Sequence, residues 1–259
     1  MIRHTFSFLD GIGLRLERHF WRMGIISWQE FLNRNFVNGI SSDKKEMADV
    51  ALSTTLSALD GRDAQYFSRL LPQREQWRLF DVFGSNALSI DIETNGLPED
   101  KGGFVTVVGL YNGYDYRALV KGIDLTEGNL KKELSGYSMI ITFYGISFDI
   151  PFLSRKFNSL RFEIPHFDLG FASKRVGLKG GLKRLEGELG IIRDESVKGM
   201  DGYDAVKLWN LYRRRNREDT LEHLLKYNME DTKNLFKIAE IIYKRLKAST
   251  GINEFISHS

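Results

Sequence analysis

The chain has 259 residues, of which 42% are hydrophobic and 27% charged, with four prolines and no cysteine. That excludes disulfides, thiolate catalysis and cysteine-bound zinc, and it is the composition of a globular protein rather than a disordered or fibrous one. A formal net charge of +3 does not by itself mark a nucleic-acid binder.

The first residues, MIRHTFSFLDGIG, lack the apolar core of a secretory signal. No run reaches the ~18 apolar residues of a membrane span. The expected compartment is the cytoplasm, with no membrane partner.

Residues 1–84 read as a helical region, with apolar residues at helical spacing over 30–36 and 43–59. Near its start, Leu9-Asp10-Gly11-Ile12-Gly13 followed by Glu17, Phe20, Trp21 and Trp28 resembles a helix-hairpin-helix, with little chain before it for a first helix. In such a unit the Gly11 and Gly13 amides would meet a nucleic-acid phosphate. Arg15, Arg18 and Arg22 would add contacts that carry no sequence information. A helical turn packed on the following domain accounts for the same residues, and Trp21, Trp28 and Phe31 have the spacing of core positions.

From residue 85 the texture changes. Ala87-Leu88-Ser89-Ile90 is an apolar run ending at Asp91, with turn residues at Thr94-Asn95-Gly96 and Pro98. Residues 104–111 and 114–120 flank Asn112-Gly113 as hairpin strands would. A helix over 126–134 leads to another apolar run at 139–144. Helical patterns follow over 149–157, 181–189, 203–215 and 219–246. Strands first and helices later predict an α/β fold, a mixed sheet flanked by helices, over 85–247, with 248–259 as a C-terminal tail.

Asp91 and Glu93 share one face of a strand, because side chains two apart point the same way. Adjacent carboxylates repel and call for a cation, for which oxygen-preferring Mg²⁺ or Mn²⁺ are suited. The same pair can also open an exposed loop. Asp149 follows the second apolar run and precedes Pro151, where the first turn of a helix is expected, so it reads equally as a cap or neighbouring residue. Tyr227 and Asp231 lie four apart on the long C-terminal helix and share a face. Basic residues gather at Lys174, Arg175, Lys179, Lys183 and Arg184, and again over 213–217, a pattern that also suits a solvated face.

The segments LSIDIETNGL at 88–97, SFDIPFL at 147–153 and YNMED at 227–231 resemble, in that order, the three motifs of the DEDD (DnaQ-like) 3′→5′ exonuclease superfamily. Tyr227 matches its tyrosine subtype; Lys226 stands where the other subtype has histidine. GGLKRLE at 180–186, Leu189-Gly190-Ile191 and GYDAVKLW at 202–209 are further similar to the YprB-type RNase H-like branch, and the resemblance covers about residues 80–245. One position departs: Tyr144 precedes Gly145 where that branch usually has asparagine.

The resemblance implies an RNase H-like fold and a metal-dependent nuclease acting on DNA or RNA as a 3′→5′ exonuclease. Asp91, Glu93, Asp149 and Asp231 would hold two Mg²⁺ or Mn²⁺ ions, and Tyr227 would orient the attacking water. Thr94 and Leu97 would touch the terminal nucleotide. A non-catalytic nucleic-acid-binding module or a structure-specific endonuclease on the same fold are the alternative readings.

Overall fold

The computed structural model describes residues 1–256. The amino-terminal region is built of α1 (Leu14–Arg22), α2 (Trp28–Leu32), α3 (Ser42–Asp60), α4 (Ala64–Leu70), a 3-10 helix at Gln73–Leu79 and the short α5 (Phe80–Phe83). Local chemistry starts these helices: Ser27 and Glu30 form a reciprocal capping box on α2, and Ser41 and Asp63 cap α3 and α4. Trp21, Trp28 and Phe31 are buried, as their spacing suggested, and pack with Phe6 and Phe20.

A five-stranded sheet follows, made of β1 (Ala87–Thr94), β2 (Val105–Tyr111), β3 (Tyr116–Val120), β4 (Met139–Thr142) and β5 (His166–Asp168), in the order β3-β2-β1-β4-β5. β1 pairs antiparallel with β2 and parallel with β4, and β4 pairs parallel with β5, so the sheet is mixed as expected. Helices α6 (Glu127–Leu134), α7 (Asp149–Lys156), α8 (Leu169–Arg175), α9 (Leu182–Glu188), α10 (Gly202–Arg215) and α11 (Glu218–Thr250) surround it, and α12 (Asn253–Ile256) closes the described chain. Sequence periodicity missed β5 and α8: three residues are too few to show alternation, and the Asp168 side chain that caps α8 reads as an ordinary turn residue.

α11 joins the two regions. Its amino-terminal half crosses β1 and β2, and Leu235, Ile238, Ile242 and Leu246 further along share one core with the helical region. The expected tail 248–259 begins inside α11, and residues 257–259 lie outside the described residues. Among the described residues no helix is long and apolar enough to cross a membrane.

Candidate active site

β1 carries Ser89, Asp91 and Glu93 on the face that α11 covers. The close approach of α11 depends on Gly109, which pairs with Asp91 across the β1–β2 ladder. A Cβ at Gly109 would lie 1.9 Å from Asn228 Oδ1 and 2.5 Å from Thr232 Oγ1, so only glycine leaves room for these two side chains. Ser89 Oγ donates to the Thr232 carbonyl at 2.9 Å and ties strand to helix.

Asn228 is fully buried between them. Tyr116 Oη donates to its Oδ1 at 2.8 Å, and the Nδ2 is thereby turned to Asp91 Oδ2 at 2.8 Å and toward Glu93 Oε1 at 3.4 Å. Three residues on along α11, Asp231 completes a cluster in which one oxygen each of Asp91, Glu93 and Asp231 lies within 4.8 Å of the others.

Three carboxylates this close, and largely buried, cannot all stay ionised without a cation. Burial first, then the charges of Asp231, Glu93 and Asp149, pushes Asp91 well above the usual carboxylate range. Burial and Asp231 push Glu93 up to about 8 against the pull of the Asn228 hydrogen bond. The donor set is all oxygen, anionic and drawn from two elements of the fold, which suits a hard divalent cation.

Asp149 stands beside this trio rather than within it. It is the first residue of α7, with Phe148 as the cap position, and its Oδ1 accepts the Ile92 amide at 3.0 Å, between Asp91 and Glu93 on the strand. Burial pushes it up to about 7.

Tyr227 is buried one turn before Asp231, and Lys183 of α9 donates to its hydroxyl at 2.7 Å. Burial, with Asp231, Glu93 and Asp91 adding to it, drives that phenol further above its ordinary value, so it stays protonated. Phe143, Leu182, Lys183 and Arg184 form the walls of the cleft over Asp91, Tyr227 and Asp231.

Arg193 was not read from the sequence. Its guanidinium bonds Asp231 and makes a paired contact with Glu186 at 2.6 and 2.8 Å, while Asn234 donates to the same glutamate at 2.9 Å. A lone arginine in the loop after α9 gives no periodic signal. Gly109 inside the strand VTVVGLY was the one local sign of the Asn228 contact.

The loop after β4 is held by Asp168, whose carboxylate accepts the amides of Tyr144 at 2.9 Å, Ile146 at 3.1 Å and Gly170 at 2.9 Å. Tyr144 has φ +59°, in the left-handed region. Asparagine enters that region more readily than other non-glycine residues. Tyrosine costs about 1–2 kcal/mol of backbone strain at such a position. Gly170 gives the Tyr144 ring its place, since a Cβ there would sit 2.6 Å from it.

Thr94 ends β1 and accepts the Gly96 amide at 3.2 Å; Leu97 is exposed in the turn beyond. Gly11 and Gly13 are exposed before α1, with φ +68° at Gly11. They are not part of the cluster: α1 packs at the far end of α11, where Arg18 donates to the Thr250 carbonyl at 3.1 Å. That point is about 28 Å along the helix from Asp231. Arg18 thus caps the carboxyl end of α11.

A model of the RNase H superfamily matches residues 88–243. Among solved structures, Brucella melitensis NrnC bound to pGG is similar to this chain at 23% identity, over 68% of this chain and 80% of that one, with a TM-score of 0.49. Comparison with curated proteins gives no match.

Proposed function

This chain belongs to the RNase H superfamily, and from that premise we propose that it is a divalent-metal-dependent nuclease that hydrolyses phosphodiester bonds of DNA or RNA as a 3′→5′ exonuclease. One observation carries the reading: carboxylate oxygens of Asp91 and Glu93 from β1 and of Asp231 from α11 meet within 4.8 Å in a largely buried cleft. Arg193 offsets the charge of Asp231, and a divalent cation would let Asp91 and Glu93 ionise beside it.

Asp91, Glu93 and Asp231 are the metal-holding residues in this account, with Asp149 completing the set for two ions, Mg²⁺ or Mn²⁺. Such ions, when bound, supply Lewis-acid activation of water and charge on the leaving oxygen. The protein's own residues do the rest. Asn228 fixes the Asp91 and Glu93 carboxyls by donating to both. Asp149 is fixed by the Ile92 amide. Tyr227, protonated at neutral pH, positions the attacking water as a hydrogen-bond partner and not as a base. Lys183, on the Tyr227 hydroxyl, brings a positive charge to the site of the scissile phosphate. Thr94 and Leu97 are proposed to meet the terminal nucleotide, and the exposed Gly11 and Gly13 amides to meet a more distant phosphate.

Digestion of single strands labelled at the 5′ or the 3′ end, with Mn²⁺ or EDTA, tests the reading. A descending ladder from the 5′ label with immediate loss of a 3′ label is expected, and only with metal. Internal cuts from the outset would assign an endonuclease; no cleavage in any metal would reject the enzyme.

A further inference from the structure

A second cavity, of about 300 Å³, opens beyond the Tyr144 loop, between the 3-10 helix at Gln73–Leu79 and α8. It lies at the carboxyl ends of the parallel strands β4 and β5, the side of an α/β sheet on which ligands collect. Trp77, Phe171 and Ile146 give it apolar walls, and Arg74 and Arg175 stand among its lining residues. Its size is at the low end for cavities that enclose a small ligand (~300–1,000 Å³), room for one ring system.

Three features suit a nucleobase. The Arg175 guanidinium, which also bonds Glu75 at 3.2 Å, lies 5.8 Å from the Trp77 ring and puts a cation beside the apolar wall. Phe171 is 45% exposed, so its ring is presented rather than packed away. Asp168, the acidic residue of the lining, is saturated by backbone amides and repels a phosphate less than a free carboxylate would.

The cavity is also joined to the acidic cleft. Phe143 borders the cleft, its ring centroid is 4.9 Å from that of Tyr144, and Tyr144 is 5.1 Å from Phe171 on the cavity wall. Lys174 Nζ lies 4.8 Å from the Tyr144 ring and 5.7 Å from Phe171. Lys183 and Arg184 flank the cleft end, and Arg74 and Arg175 the cavity end. Aromatic rings interleaved with cations along one path are the chemistry that holds a single strand, the rings stacking bases and the cations following the backbone.

We propose that this path is a single-strand track, in which the Trp77–Phe171 cavity takes a base of the nucleic acid several nucleotides away from the end lying at Asp91, Glu93 and Asp231. The inference rests on the nuclease reading for its direction. It explains the basic group at Lys174, Arg175, Lys183 and Arg184 as a binding surface, and Tyr144 as the link that keeps the aromatic row continuous.

The test measures affinity by fluorescence anisotropy in Ca²⁺ for a dinucleotide and a decanucleotide, with wild type, Phe171→Ala and Phe171→Trp. In wild type the longer strand binds more tightly; Phe171→Ala reduces the ratio by about tenfold, as loss of one base–aromatic stack does, and Phe171→Trp retains it. Adenosine monophosphate competes far more weakly than the decanucleotide. An unchanged ratio in Phe171→Ala overturns the track, and so does a mononucleotide that competes as well as the strand. Mn²⁺-dependent cleavage is scored separately. Strand binding that depends on Phe171 without any cleavage keeps the track and rejects the nuclease reading. Cleavage with no Phe171 dependence does the reverse, and no binding at all rejects both.

Discussion

Lys183 and Tyr227 meet twice: the ammonium donates to the phenol oxygen at 2.7 Å and lies 4.8 Å from the centroid of the same ring. A cation on the hydroxyl oxygen leaves the O–H proton to point elsewhere, and the acceptors nearby are the carboxylates of the cluster. The hydroxyl is therefore a fixed donor beside Asp231.

Removing that donor tests its role. Tyr227→Phe should slow the chemical step on the order of 10²-fold, the lower range for a positioned proton-handling group. Binding in Ca²⁺ should hardly change, since phosphate affinity comes mostly from cations. Single-turnover cleavage beside equilibrium binding separates the two; lost binding would make Tyr227 a substrate contact, and unchanged cleavage a packing residue.

Asp91→Asn should abolish cleavage and yet stabilise the metal-free protein, because one of the mutually repelling carboxyls is removed while an acceptor for Asn228 Nδ2 remains. Each kcal/mol of relief raises Tm by about 2–4 °C in a chain of this size. A Tm in EDTA below that of wild type would contradict the account of the cluster.

Stability and metal binding should respond to pH in opposite senses. Glu93, at about 8, and Asp149, at about 7, lie above their unfolded values of about 4. The folded state then holds more protons than the unfolded one between those limits, so in EDTA their contribution to stability falls as pH rises from about 4 to about 8. Metal requires the deprotonated carboxylates, so the gain in Tm on adding Mn²⁺ should grow over the same range. Differential scanning fluorimetry across pH 5–8.5 (roughly the span of those values) reads both slopes. A metal-induced gain that shrinks with rising pH would contradict the assignment.

Arg193 offsets the charge of Asp231 and Glu186 from inside the fold. Arg193→Met should destabilise by about 3–5 kcal/mol, the usual cost of removing one partner of a buried pair. Mn²⁺ should restore more stability to this variant than to wild type, because the cation takes over part of the lost charge. Equal rescue in the two proteins would mean that Arg193 balances Glu186 alone.

Much of this site was legible before the fold was known, for definite reasons. Strand geometry put Asp91 and Glu93 on one face and helix geometry did the same for Tyr227 and Asp231, but it was the resemblance of the three motifs, in their chain order, that joined them into one site. What joins the two elements was not legible. Asn228 reaches Asp91 across 137 positions of sequence and is oriented by Tyr116 across 112; neither separation leaves a periodic trace. Arg193 and Asp168 act from loops and helix ends, where one charged residue looks like any other. Gly109 alone marked the spot locally, as a glycine inside an otherwise β-rich strand.

The most direct test of the central claim, that the carboxylates of β1 and α11 form one metal-dependent catalytic centre, is a single cross of metal and mutation. Cleavage of a 5′-labelled single strand is timed with Mn²⁺ and with EDTA, for wild type and for Asp231→Asn, whose fold is checked by its Tm. The account predicts shortening only by wild type with Mn²⁺, with Asp231→Asn slower by at least about 10³-fold, since loss of a metal-holding group removes several kcal/mol of transition-state stabilisation. Cleavage by Asp231→Asn at near the wild-type rate, or wild-type cleavage that persists in EDTA, would contradict it.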